Sequence, residues 1–593
     1  MLGELVKYAK ANGISDIPGF KAKKGKWLIV LNGDGSLIDV VEDNKRYRMC
    51  PYFEQFELVG GETKSHFLLD SLGVVANYDA KDKDDIKHEY FKKLLCEAVK
   101  YESSLKACIA FISSRDELAL LHEKLKANKA KGIDNATFSV NGISVVETTG
   151  WHYWWIDYRK HINVKKEIYA PMMCFVNGEL SEPTTNHFKV TGLQVVGGQS
   201  CGTTLISFDK DSFTSYNLPQ SLNASCSEKV VAAYRNALDD LIEKAPRPIC
   251  DSLFLHWYKE PLPAEDDIFE LGWEENIETE HENAARKVER IFDAVIKGER
   301  PKLTNNTYYI LQVSGAGGRI MVRDWLTGDF KGLVGNIKQW FDDISIIEPH
   351  GNFISNDFKF SAAMLRLISY RSNEGIKDSF KRIKKELTSL EPHIWRCIIE
   401  NKALPDTVAS KALNHISSKL LNSESSLDEN LDRIACALLK IYIIRIQKLK
   451  GGNEIMKLIL NQDNPSAAYQ AGRLLAVLAS IQQSALGDVN AGLVQRYYTS
   501  ASTTPKLVIG RLIQMSQHHL DKLGKDSKGL AIWYEQQLAD IMARIEINMI
   551  PKVLDLEGQT LFALGYYQQK AHMHSGKTIQ ENDENKGGIS NGN

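Results

Sequence analysis

Uncharged hydrogen-bonding side chains crowd one glycine-hinged stretch, VVGGQSCGTTLISFDKDSFTSYNLPQSLNAS, from Val195 to Ser225. Gln199, Ser200, Thr203 and Asn223 can each donate and accept, as reading a base edge requires. Gly197 and Gly198 would let the backbone approach a duplex closely. The same residues equally suit a β-turn and a polar segment capping the helix that opens at Ser227-Glu228-Lys229. Three cationic groups accompany this loop. GFKAKKGKW sets Lys21, Lys23, Lys24 and Lys26 just before a hairpin, as a basic loop for phosphates or for water. In RIMVRDW, period-two alternation puts Arg319, Met321 and Arg323 on one strand face, suited to a phosphate backbone or to salt bridges. In RLIQMSQHHLDKL, Arg511, Gln514, His518 and Lys522 share a helical face at i, i+3, i+7 and i+11, with Leu507, Leu512 and Leu520 elsewhere around the helix. Such a face can track single-stranded DNA, although exposed helix faces are often charged.

Catalytic signatures are missing from the sequence. It contains no HExxH, HD pair or Walker A motif. SGAGGR (Ser314 to Arg319) lacks the Lys-Ser/Thr ending of a phosphate loop and reads as a hairpin turn. The nine cysteines are scattered singly with no CxxC pair, which supports neither zinc nor a disulfide framework. The expectation is a protein that is not an enzyme and needs no cofactor. Its formal net charge of −2 leaves local basic patches open. The N-terminal MLGELVKYAKANG lacks the order of a signal peptide, and no run of about 18 apolar residues occurs. The expected location is cytoplasmic, without membrane contact.

The elements that must position these residues change character along the chain. KWLIVLNGDGSLIDVVED reads as two strands around Asn32-Gly33-Asp34-Gly35. KACIAFIS, ATFSVNG, APMMCFVNG, NHFKVTGLQVV and TYYILQVSGAGGRIMVRDWL read as further strands. DDIKHEYFKKLLCEAVKYESS, RDELALLHEKLKAN and SEKVVAAYRNALDDLIEKA read as helices. From about Phe358 only helical spacing remains. The expected fold is α+β, a mixed α/β N-terminal region followed by an all-α C-terminal bundle. Its expected parts are residues 1–357, in one or two lobes, a helical linker region 358–455, a bundle 456–575 and a disordered polar tail 576–593. Asn422–Asn430 and Lys450–Glu454 serve as connectors.

The stretch from GGQSCGTTLISFDKDSFTSYN to LDDLI resembles the large subunit of the type I-C CRISPR Cascade, the Csd family. The shared pattern is G-x-Q-S-x-G-x-x-L-[IV]-S-F-N, then Ser-Tyr, then Q-[SG]-x-N-A-P and a Ser-Glu-Lys-opened helix. Asp209 stands at the usual Asn and Ser225 at the usual Pro. In FLLDSLGVV, Ser71 stands where the family carries Asn. NPSAAYQAGRLLAVL, RYYTSASTTPKLVIGRLIQMSQHHLDKL and LEGQTLFALGYYQQK also match, so the resemblance runs through most of the chain.

This resemblance implies a non-catalytic subunit of a crRNA-guided antiviral complex. It recognises the protospacer-adjacent motif (PAM) in double-stranded target DNA, promotes R-loop formation and holds the displaced strand, while the crRNA reads the target by base pairing, a division of labour known from another effector. Gly197, Gly198, Gln199, Ser200, Thr203 and Asn223 would face the PAM, with Lys23, Lys24, Lys26, Arg319 and Arg323 on phosphates. Arg496, Arg511, Gln514, His518 and Lys522 would face the displaced strand. Implied partners are crRNA, target DNA, the Cascade backbone subunit, the crRNA-end-capping subunit and a helicase-nuclease recruited after R-loop formation. A small subunit is also implied, and Met456, in a connector after Gly451-Gly452, is a placed internal start for it. The alternative is an architectural subunit that touches crRNA and neighbouring proteins without reading DNA.

Overall fold

Alternating apolar residues and one glycine-rich turn build the first sheet. The computed structural model describes all residues except 44–46, 59–62, 163–168, 249, 270–283, 298–299, 352, 356–359, 423–430, 453–455, 488–491, 546–549 and 576–593. The polar tail and most of the Asn422–Asn430 connector therefore lie outside the described residues. Two compact units emerge: Met1–Ala245 with Val313–Val322, and Pro246–Gln312 with Arg323–Asn593.

The first unit starts with α1 (Leu2–Ala11), β1 (Phe20–Lys24), β2 (Trp27–Leu31), β3 (Leu37–Glu42) and β4 (Tyr47–Pro51). β5 (Asp70–Ser71), α2 (Leu72–Ala76), α3 (Asp84–Ala98), α4 (Leu105–Ser113) and α5 (Arg115–Ala127) follow. β6 (Asn135–Val140), β7 (Ile143–Ser144), α6 (His152–Ile162), β8 (Met172–Met173), β9 (Leu180–Ser181) and α7 (Glu228–Lys244) complete it. The main sheet runs β3-β2-β6-β5, with β7 on β6. β2 and β3 pair antiparallel around the predicted turn, where Gly35 takes φ +95° and its N–H donates to the Asn32 carbonyl at 3.0 Å. Trp27, Ile29 and Leu31 alternate inward to a core that also holds Phe53, Phe67, Trp151 and Trp155.

Three sequence expectations are corrected here. KACIAFIS is helix α4, not a strand: its buried Leu105, Cys108, Phe111 and Ile112 recur at helical spacing. NHFKVTGLQVV contributes only a Val190–Thr203 bridge and a 3₁₀ turn, Leu193–Val196. The basic loop is instead strand β1, paired antiparallel with β4.

The second unit contains β10 (Leu253–Tyr258), α8 (Ala284–Ile296), α9 (Pro301–Thr304) and most of a hairpin, β11 (Thr307–Ala316) and β12 (Arg319–Asp329). α10 (Phe330–Ile344), β13 (Ile346–Ile347) and β14 (Ile354–Ser355) precede an all-helical remainder. That remainder is α11 (Phe360–Leu365), α12 (Ile376–Glu386), α13 (Glu391–Ile399), α14 (Asp406–Asn422) and α15 (Arg433–Leu449). α16 (Ala467–Leu486), α17 (Leu493–Thr503), α18 (Pro505–Asp526), α19 (Lys528–Ala543) and α20 (Leu556–His574) end it. The fold is thus α+β, with its change to pure helix near residue 358, while the boundary between compact units falls at Ala245. α16 is buried on every side from Ala468 to Ile481, as a central bundle helix must be. Glycines bring its backbone against α20: a Cβ at Gly472 would lie 2.0 Å from the Phe562 carbonyl oxygen, and one at Gly565 2.1 Å from that of Tyr469. No described helix is long and apolar enough to cross a membrane.

Candidate nucleic-acid interface

The glycines of the opening loop serve a chain crossing. Gly197 takes φ +89°, and a Cβ there would lie 2.8 Å from the Gly315 carbonyl oxygen. A Cβ on Gly315 would lie 2.1 Å from the Gly198 nitrogen. The loop then extends the hairpin tip: Thr204 N–H donates to the Gly318 carbonyl and Ile320 N–H to the Thr204 carbonyl, both at 2.9 Å. Gly197 and Gly198 therefore serve the approach to this hairpin, and Gly197 remains exposed beside it. SGAGGR is the hairpin turn itself, with Gly317 at φ +58°.

Gln199 and Ser200 are exposed beside that crossing, the Gln199 side chain lying over Gly318. Thr203 is fully buried, and its backbone exchanges two 2.8 Å hydrogen bonds with Val190. Its side chain cannot read DNA from there. Asn223 is spent internally as well. Its Nδ2 donates to the carbonyls of Phe213 (3.1 Å), Leu218 (2.6 Å) and Gln220 (3.1 Å), pinning the loop that precedes it.

Beside the crossing, at Thr204, Gly318 and Arg319, lies a cleft of about 660 Å³, with Phe56, Phe188, Ile206 and Phe208 among its other walls. Arg319 pairs with Asp209 at 2.9 Å, and both are exposed. Its guanidinium also lies 5.9 Å from the Phe213 ring centre. An exposed pair of this kind contributes little stability, so an incoming phosphate can compete for the arginine. Beneath the cleft, Glu54 binds Arg235 at 2.9 Å with both side chains buried. His187 donates or accepts at the Tyr234 hydroxyl (2.7 Å), and burial pushes its pKa down to about 4.

The lysines of β1, and Lys26 just before β2, are matched within the fold. Lys21 pairs with Asp239 (3.1 Å), Lys24 with Glu243 (2.7 Å) and Lys26 with Asp134 (2.8 Å). Asp239 and Glu243 sit one helical turn apart on α7, so the basic strand meets an acidic helix face. Lys23 lies over Tyr52, 5.1 Å from the ring centre, and burial lowers its pKa against nearby Asp70. At the expected phosphate patch, Lys24 and Lys26 are thus ion-paired with about a third of each side chain still exposed, and Lys23 is half-buried. Arg323 is exposed on β12, at the start of the second unit's share of that strand.

Within the second unit, Arg496 on α17 and Arg511, Gln514, His518 and Lys522 on α18 are all exposed. No ion pair engages Arg496, Arg511 or Lys522 among the described residues. The opposite side of α18 buries Ile509, Leu512, Leu520 and Leu523. Leu507, expected among the apolar positions, is instead 75% exposed.

A protein family described as CRISPR-associated protein (Cas_Csd1) matches residues 5–574. The chain belongs to this family. No curated protein matched it.

Within this Cas_Csd1 chain the departures from the expected pattern have local roles. Asp209 carries the charge that meets Arg319. The Ser225 carbonyl accepts from Phe175 N–H at 3.0 Å, and Ser71 occupies the cap position of α2. One residue escaped the sequence reading. Tyr216 is 95% exposed at the tip of the pinned loop, where it and Asn217 take φ +53° and +60° between the bridged Ser215 and Leu218. Asn commonly accepts that left-handed geometry, whereas a bulky tyrosine does so rarely. The Asn in SYNL was the available signal, and the strain on its neighbour was not.

Proposed function

We propose that this chain is the large, non-catalytic subunit of a type I-C crRNA-guided complex, and that its first unit contacts the PAM of target double-stranded DNA. The observation that carries the proposal is the crossing of loop and hairpin, which lays exposed Gln199 over Gly318, the neighbour of Arg319 in the cleft wall. A glutamine amide can pair with a base edge while the arginine takes a phosphate. The crRNA, the backbone and crRNA-end-capping subunits and the helicase-nuclease are the proposed partners, and α18 with Arg496 the surface for the displaced strand. The test is PAM-library binding by the reconstituted complex. Gln199→Ala should cost about 1–3 kcal/mol against the preferred PAM and flatten the preference. An unchanged preference in a folded variant returns the loop to a purely structural role.

The internal pairing of Lys21, Lys24 and Lys26 favours a second reading, an architectural subunit that does not read DNA. Duplex binding by the full chain separates the two: a steep fall with salt belongs to direct DNA contact, and a flat response to the architectural role.

A further inference from the structure

A second cleft, of about 420 Å³, lies between α16, α19 and α20. Its lining includes Ser484 and Gln483 of α16, Trp533 and Tyr534 of α19, and His574 of α20. Tyr534 is fixed, buried and bonded through its hydroxyl to Ser484 Oγ at 2.9 Å. Trp533 packs edge-on against it, with ring centres 4.9 Å apart, and remains 37% exposed. The Gln483 side-chain amide has no hydrogen-bond partner among the described residues. This cleft thus offers a rigid indole face and a free amide, and no Lys, Arg, Asp or Glu lines it.

The charge lies just outside. From Lys506 to Lys528 the sequence carries five Lys or Arg against two Asp. Lys525 and Lys528 stand exposed at the corner between α18 and α19 without an ion pair among the described residues. Lys528 lies two residues before Leu530, which lines the cleft. A neutral aromatic cleft flanked by unpaired cations fits a ligand whose flat part is uncharged and whose linker is anionic, the arrangement of single-stranded nucleic acid.

We infer that the Trp533–Tyr534–Gln483 cleft receives an unstacked base of the displaced DNA strand, with its phosphates on Lys525 and Lys528. This rests on the proposed role of the second unit in holding that strand. Stacking on an indole is tolerant of base identity because every base has a π-face, which suits a strand whose sequence changes with each target. Gln483 would add a contact to the base edge without requiring one particular base.

The experiment uses the full-length chain and a deoxythymidine oligonucleotide carrying 5-iododeoxyuridine. Irradiation should attach the strand to Trp533 or Tyr534, located by peptide mass spectrometry. Trp533→Ala should weaken single-strand binding about 5- to 150-fold, the range for losing one stacked base, with an unchanged salt slope. Trp533→Phe, which keeps an aromatic face, should retain most of the affinity and the same melting temperature. Lys525→Ala with Lys528→Ala should instead lower the salt slope. Wild-type affinity in Trp533→Ala with adducts elsewhere overturns the inference, as does a preference for the matching RNA. So does loss of complex assembly with single-strand binding intact, which makes the cleft a protein contact. Absence of salt-dependent strand binding by the wild-type chain refutes the displaced-strand role itself, and the cleft assignment with it.

Discussion

At the residue scale, Tyr216 is the exposed tip of a pinned loop. A left-handed backbone costs a non-glycine residue about 1–2 kcal/mol, and here a fully presented aromatic accepts that cost at a loop tip. Three carbonyls gathered by the single Asn223 amide keep it there. Backbone strain of this kind clusters where function needs a fixed geometry. Tyr216→Gly removes the strain and the ring together. Its thermal midpoint should stay level or rise, while target-DNA affinity of the assembled complex falls. Unaltered affinity would mean the tyrosine is a passive tip.

At the scale of elements, β1 and α7 hold the first unit through buried ions. Arg235 on α7 reaches Glu54 and donates to the Phe20 carbonyl at 3.2 Å, and both ions are almost completely enclosed. Removing one partner leaves the other charge buried, so Arg235→Ala should destabilise the unit by about 3–5 kcal/mol. The double variant Arg235→Leu with Glu54→Leu should recover much of that loss. Denaturant melts of the full chain check both. In the second unit, α13 begins at Glu391, a buried carboxyl that accepts from Ser252 Oγ at 3.0 Å. Burial is the main cause of its rise from 4.5 to about 7. The folded chain therefore binds this proton more tightly than the unfolded chain does. The group's contribution is complete below about 4.5 and disappears as pH rises toward 7. Glu391→Gln keeps a neutral hydrogen-bonding group, so it should flatten that part of the stability profile. An identical decline in the variant would assign the pH dependence to other groups.

For the whole molecule, the proposed small subunit makes a measurable claim. α15 ends with Gly451 at φ +68° and Gly452 N–H donating to the Gln447 carbonyl at 3.0 Å, a glycine helix stop. Met456 follows in the connector, buried in the intact chain. A product starting there would hold whole helices α16 to α20. It would amount to 138 of the 593 residues of a 66.7 kDa chain, about 15 kDa. Met456→Leu with synonymous recoding of Gly451-Gly452 should remove a fragment of that size from the purified complex. A fragment that persists unchanged, or never occurs with the wild-type gene, ends the proposal. Such a product would also uncover the faces of α17 and α20 that pack on α14 and α15, so it should be found assembled with partners.

The sequence by itself determined whatever depends on neighbours a few residues away. The Asn32–Gly35 hairpin follows from its turn residues, α7 from the Ser227 cap, and the helical bundle from apolar spacing. The SGAGGR turn and the exposed α18 face at Arg511, Gln514, His518 and Lys522 were equally local, and the family pattern was legible in its motifs. The tertiary structure decided what depends on distant partners. KAKKGK looks like a phosphate patch until the acidic face of α7, about 220 residues later, neutralises Lys21 and Lys24. Gly197 and Gly198 look like room for a ligand, but their missing side chains also make room for the hairpin backbone at Gly315. Thr203 and Asn223 have the right chemistry for a base edge, but Val190 and three loop carbonyls already occupy their backbone or amide groups. Composition gives the donors and charges a segment carries. Which of them remain unsatisfied, and so available to a partner, is set by contacts between residues far apart in the chain, because a buried or paired polar group has already exchanged its water for protein.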